Sequence, residues 1–313
     1  MDEVKDGILL IDKEPGEHSS GVVRKVKRLL KVKKVGHAGT LDPFASGLLI
    51  ILVGKATCLS RFILAGSKLY RATLCLGVAT DTLDLTGKVV RTIPVPRLEP
   101  ATVEEKAKKF VGETWQIPPA FSAVKFRGKR AYSLARMGIT PELQPRMIRV
   151  YSLKVLYSVG PVIEMEIKCS AGTYIRTLAA DLAGELSSVG HLSSLRRIEC
   201  TPFHVKNGIN SRDLAASGAR EKLKGAIIPM AHALPDMPAI EINKDLALSL
   251  RHGITPSIEE LSLFGRDLVP GDGYLKILSH GNLTSIVRIY ETDGYGKGKV
   301  SIERVFPSNN DAN

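Results

Sequence analysis

The sequence predicts an α+β fold: a mixed, largely antiparallel central sheet with helices, followed by a small β-rich unit. Three observations carry this reading. Of 313 residues, 44% are hydrophobic and 24% charged, the balance of a folded globular chain. Strand-like and helix-like runs mix hairpins with helices and never repeat a βαβ unit. Beyond Pro229, Pro235 and Pro238 the chain changes to short strands and turns.

Each element follows from local pattern. Gly7 to Lys13, GILLIDK, is a short apolar run between turn residues and reads as a buried strand. Ser19 or Ser20 is placed to cap the next helix, where Val22, Val23, Val26, Leu29 and Leu30 recur at helical spacing. A glycine-rich loop from Gly36 to Gly47 leads into the apolar strand Leu48 to Val53 and a helix from about Ala56 to Leu64. In Lys68 to Gly77, Tyr70, Ala72, Leu74 and Leu76 alternate with Arg71 and Thr73, the pattern of a strand buried on one face. Thr102 to Val111 is helical. Ile117 to Arg149, rich in Pro, Gly and Arg, is an insertion read as a mobile arm with a short helix around Ala131 to Met137. Arg149 to Tyr157 and Val162 to Ser170 form a hairpin about Gly160-Pro161. A helix from Tyr174 to Leu186 and a strand from Leu192 to Cys200 complete the main body. The expected division is 1–235 and 236–307, with strands at Tyr274 to Ser279, Leu283 to Tyr290 and Lys299 to Val305, and a disordered tail over 308–313.

Charge narrows the function. Lys and Arg number 44 against 32 Asp and Glu, a formal charge of +12, which points to a polyanionic partner or an acidic membrane surface, nucleic acid being the commoner target, unless the charges are simply solvated. GVVRKVKRLLKVKKV, Gly21 to Val35, has seven cations and no acid, and Lys125 to Arg149 forms a second basic stretch opposed only by Glu142. No apolar run approaches the roughly 20 residues of a membrane-spanning helix. The N-terminus lacks a signal-peptide pattern, and the four cysteines show no CxxC pair, so a reduced, cytoplasmic protein is expected.

Two segments stand out chemically. In GHAGTLDPFASGLL, glycines 36, 39 and 47 allow sharp turns while Pro43 restricts Asp42 to extended geometry at the mouth of a strand. Asp42 is open to service as nucleophile, base or metal ligand, or simply as an Asp-Pro turn residue. A phosphate-binding P-loop fails because position 49 is Leu and Ala56 follows Lys55; a metal site lacks clustered ligands, and no GxSxG elbow occurs. In CSAGTYIRTL, Thr173 is placed to cap a helix whose first turn carries Arg176, where the helix dipole disfavours a cation. Its partner is then a protein carboxylate or a substrate phosphate, unless the arginine is merely exposed. Tyr70, by its strand position alone, reads as core more readily than as ligand.

GILLIDKEPG, GHAGTLDPFASGLL, SKLYRATLCLG, CSAGTYIRTL and HLSSLRR together resemble the TruB family of bacterial tRNA pseudouridine-55 synthases, over about residues 7 to 235. RHGITP and LSHGNLTSIVRIY look like a small PUA-type RNA-binding module, a weaker match. One departure is DKEPG, where Glu14 stands in the place the family usually gives to Pro. The resemblance implies a pseudouridine synthase fold, with Asp42 as the catalytic aspartate and Arg176 as its partner. It also implies Tyr70 stacked on the target base, Leu195 packing in the pocket, and His37 in space vacated by a flipped base; Lys13, Tyr174 and Arg197 map near the site. It implies isomerisation of a uridine in the tRNA T-arm by base flipping, with no cofactor, metal, guide RNA or obligate protein partner, by a monomer.

Overall fold

The computed structural model describes residues 4–265, 267–269, 271, 273–292 and 297–307, so the expected tail over 308–313 lies outside the described residues. Eleven strands form one sheet. Its main path runs Ile209–Asn210, β1 (Gly7–Lys13), β3 (Ser46–Val53), Gly190–Cys200, β4 (Lys68–Leu76), Val162–Cys169, Arg146–Val159 and Gly112–Gln116; β2 (Val35–Ala38) also pairs with β3. Two pairings on this path are parallel, β1 with Ile209–Asn210 and β3 with Gly190–Cys200, and the rest are antiparallel. The mixed α+β architecture is therefore as the sequence predicts.

Burial explains why some strands read as continuous apolar runs and others as alternations. On β1 and β3, Leu9, Ile11, Leu49 and Ile51 enter one core cluster while Ile8, Leu10, Leu48 and Ile50 enter another on the opposite face. A strand covered on both faces has no polar side to show. On β4 the buried Ala72, Leu74 and Leu76 alternate with exposed Arg71 and half-buried Thr73, because only one face is covered. That face carries helix α1 (Ser19–Leu30) together with helices Pro100–Lys108 and Ile175–Glu185.

The C-terminal sheet orders Ala239–Glu241, Gly273–Ser279, Asn282–Thr292 and Lys297–Val305, around a core that includes Ile240, Leu250, Ile277 and Val287. Leu283, Ile286 and Phe306 cross from this unit into the second core of the main sheet. Lys276 donates from its buried Nζ to the carbonyls of Ala231 and Leu234 at 3.1 and 2.8 Å, tying the unit to the chain that leads into it.

Several local expectations need correction. Neither Ser19 nor Ser20 caps α1: the capping position is His18, without a side-chain bond, and Ser19 is the first helical residue. Thr173 does not cap its helix either, since that position falls to Tyr174, again without a side-chain cap. The segment from Gly54 is a 3-10 turn to Leu59 before α2 (Ser60–Ala65). The strand after the insertion begins at Arg146, so the last residues of the expected arm belong to the sheet.

Candidate active site

Asp42 lies in the loop between β2 and β3, and main-chain bracing holds that loop in place. Ser19, freed from capping, bonds the loop twice: its Oγ donates to the Leu41 carbonyl at 2.9 Å and accepts from the Leu41 N–H at 3.0 Å. Lys13 ends β1 fully buried, with Nζ donating to the carbonyls of Glu14, Glu17 and Pro43 at 2.9, 2.8 and 3.3 Å. Arg197 donates to the carbonyls of Leu48 and Gly39 at 2.7 and 3.0 Å. Leu41, Phe44 and Ala45 anchor the loop in the core. Gly47 has φ +99°, and a Cβ there would sit 2.2 Å from the Arg197 carbonyl, so only glycine lets β3 and the Arg197 strand meet.

The unusual DKEPG turn docks on the same structure. Gly16 donates its N–H to the Pro43 carbonyl at 2.8 Å, and Glu14 accepts from Asn210 and Arg212. Glutamate in place of proline thus ties this turn to the segment 210–212.

Arg176 meets the Asp42 carboxylate with two donors, Nε to Oδ2 at 2.9 Å and Nη2 to Oδ1 at 3.3 Å. Its Nη1 lies 3.5 Å from Asp84 Oδ2 and donates to the Thr82 carbonyl at 2.7 Å, while Nη2 also donates to the Phe121 carbonyl at 2.8 Å. The anionic partner implied by a cation in the first helical turn is therefore a pair of protein carboxylates. Asp84 is itself held by Thr82 Oγ1 and by the N–H and hydroxyl of Thr86. The Arg176 side chain is 4% exposed and that of Asp42 35%, so the carboxylate is open to a reactant and the guanidinium is not. Burial pushes the Asp42 carboxyl above its ordinary value; Asp84 adds to the rise, and Arg176 and Lys13 oppose it. Burial likewise lowers the Lys13 ammonium to about 8, against the pull of Glu17 and Asp42.

Tyr70 on β4 lies directly across the ladder from Arg197 and packs on the main core, and burial pushes its phenol up to about 12. At neutral pH it offers a ring and a hydroxyl, not a phenolate. Leu195 is buried opposite Ala72, one ladder step from Tyr70 on the same face. His37 lies on β2 with a buried Nδ1 that has no partner among the described residues, and burial lowers its pKa, with Arg197 adding to the effect, which keeps the ring neutral. Tyr174 is held through its main chain: its N–H donates to Gln116 Oε1 at 2.8 Å and its carbonyl accepts from Gln116 Nε2 at 3.0 Å.

The N-terminal domain profile of the TruB family pseudouridylate synthases matches residues 27–175. The tRNA pseudouridine synthase B of Syntrophus aciditrophicus (strain SB) is 39% identical over 308 residues, covering 96% of this chain and 98% of its own. The chain belongs to the TruB family. It is a pseudouridine synthase, an isomerase. The tRNA pseudouridine synthase B of Geobacter sulfurreducens is 37% identical over 281 residues, covering 90% of this chain and 92% of its own. Among solved structures, one of a Cbf5-Nop10-Gar1 complex superposes with a TM-score of 0.74 at 25% identity, covering 98% of this chain and 87% of the other. An H/ACA RNP bound to a substrate RNA containing 2′-deoxyuridine gives 0.72 at 23%, covering 98% and 86%, which shows a shared fold.

In this TruB-family chain, sequence reasoning missed Asp84, Gln116 and the second use of Ser19. Asp84 lies in DTLDLTG, where Thr and Asp crowd a turn between strands; that composition marks a side-chain-bonded turn, the available signal. Nothing local ties Gln116 to Tyr174, 58 residues away.

Proposed function

We propose that the protein converts uridine 55 in the T-loop of tRNA to pseudouridine, with the Asp42 carboxylate acting on the ribose of an everted nucleotide. The observation that carries this reading is the Asp42–Arg176 pair: two donors fix a carboxylate that stays open on its other side. The relatives named tRNA pseudouridine synthase B, alignable over nearly the whole chain, support tRNA as the substrate.

The chemistry breaks the N-glycosidic bond, rotates the freed uracil and rejoins it through C5. A carboxylate beside the ribose serves this by attacking C1′ or by taking the C2′ proton, and both roles require it ionised. Arg176 holds the carboxylate in one orientation and opposes the rise in its pKa. Extruding the target base costs a few kcal/mol, and stacking on the Tyr70 ring returns about 1–3 kcal/mol. The C5 proton leaves last. Tyr70, protonated at neutral pH, serves as a relay through its hydroxyl; a Tyr70→Phe enzyme turning over at the wild-type rate would remove that role.

In this reading residues 1–235 form the catalytic part and 236–307 an RNA-binding unit, and the enzyme works in the cytoplasm as a monomer without guide RNA. The insertion reaches toward the site through Phe121 and grips the T-arm. Mapping of pseudouridine in a bare tRNA transcript tests the proposal. Wild type is expected to modify position 55 alone, and Asp42→Asn to lose at least about 10³-fold in turnover while binding tRNA within a few-fold of wild type. Conversion at another position, a requirement for guide RNA, or an active Asp42→Asn would overturn it.

A further inference from the structure

One open cavity of the protein lies away from Asp42. It is a cleft of about 790 Å³ where the far end of β1 and β3 meets the end of the last C-terminal strand. Six cations line it, Lys31, Lys33, Lys34, Lys55, Arg220 and Arg304, against one acid, Asp6. Asp6 is already engaged, accepting from the Lys55 N–H at 3.0 Å with the Lys55 ammonium 3.9 Å away. The other five cations form no ion pair among the described residues. Arg304 Nη2 rests on Cys58 Sγ at 2.8 Å, and Arg220 Nε is buried with no hydrogen-bond partner among those residues. Gathering like charges without counterions is unfavourable unless an anion enters between them.

The route into the cleft identifies that anion. Helix α1 begins beside Asp42, where Ser19 is bonded to Leu41, and its C-terminal cap, Lys31, lines the cleft. Arg24, Lys27, Arg28 and Lys31 are exposed along it. Twelve helical residues make a cationic track of about 18 Å. A small phosphorylated molecule needs no track; a polyanionic chain follows one.

We propose that the cleft is a second phosphate-binding site, which seats the backbone of the RNA substrate at a point remote from the nucleotide at Asp42, with α1 as the connecting track. This rests on the reading of the protein as a tRNA-modifying enzyme. The guanidinium forks of Arg220 and Arg304 suit phosphodiester oxygens. An RNA cut down to the target loop and one or two closing base pairs has less duplex than the roughly 18 Å track is long; whole tRNA runs past its end.

The test compares wild type with the double substitution Arg220→Gln/Arg304→Gln, on whole tRNA transcript and on the short hairpin. With whole tRNA, the double variant is expected to bind about tenfold more weakly near physiological salt. The log–log salt dependence should flatten by between one and two. On the hairpin, affinity and turnover should stay within twofold of wild type. Equal losses on both RNAs, or no loss on either, would overturn the proposal. So would protection of the wild type against heat by inorganic phosphate or a mononucleotide with tRNA binding unaltered in the variant, which would assign the cleft to a small anion. If the double variant melts early, Arg304→Gln alone gives the same comparison, with a slope change near one. A wild type that binds tRNA in two places but converts no uridine would sink the functional reading and leave the cleft standing.

Discussion

Arg176 shows how much one side chain can organise. Its donors reach two carboxylates and two carbonyls, from three stretches of chain that are distant in sequence. The sequence exposed the anomaly, a cation in a helix's first turn, but not the partners, because residues 42, 84, 121 and 176 meet only once the sheet has closed. Activity should therefore follow a bell-shaped pH profile. In the proposed role Asp42 must be ionised, so turnover is expected to fall as pH drops through its pKa, which burial sets above the ordinary aspartate value of about 3.9. Lys13 must be protonated to hold the Pro43 carbonyl, so turnover also falls as pH rises through about 8. Asp84→Asn removes a neighbouring negative charge and should move the acid limb to lower pH. Rate measurements between pH 4 and 10 on both proteins check the sign; an acid limb that does not move would show that Asp84 exerts no electrostatic hold on Asp42.

At the scale of elements, β1, β3 and β4 were legible because burial on two faces or one leaves a distinct trace in composition. Helix starts were less so. A hydroxyl at the head of a helix reads as a cap by local rules, yet Ser19 spends both its bonds on Leu41, 22 residues away. Long-range partners of this kind leave no mark in a sequence window. Ser19→Ala strands the N–H and carbonyl of Leu41 in a buried setting, which should cost about 1–3 kcal/mol of stability, read by denaturant titration. Turnover should fall with it, because α1 no longer fixes the Asp42 loop. Gly47→Ala should be worse: the added methyl meets the Arg197 carbonyl at a φ that L-residues rarely adopt, and the folded yield is expected to drop sharply.

Over the whole molecule, the +12 charge is arranged along α1, the insertion and the junction cleft, and binding to RNA should weaken steeply with salt. The expected log–log slope is roughly 0.7 to 0.9 per phosphate contact, measurable by filter binding between 50 and 200 mM salt. Charge was legible from composition, but the cleft was not, since Lys33, Arg220 and Arg304 become neighbours only when the C-terminal sheet seats on the main one. The bracing of the Asp42 loop has an evolutionary corollary. Lys13, Arg197 and Ser19 all grasp it by peptide groups, at Pro43, Gly39 and Leu41, and Arg176 grasps the insertion the same way at Phe121. Change at the grasped positions would leave these bonds intact, although Leu41 is also fixed by its place in the core, whereas change at the four graspers would break them. The immobile letters of the Asp42 loop are spelled, in large part, outside it.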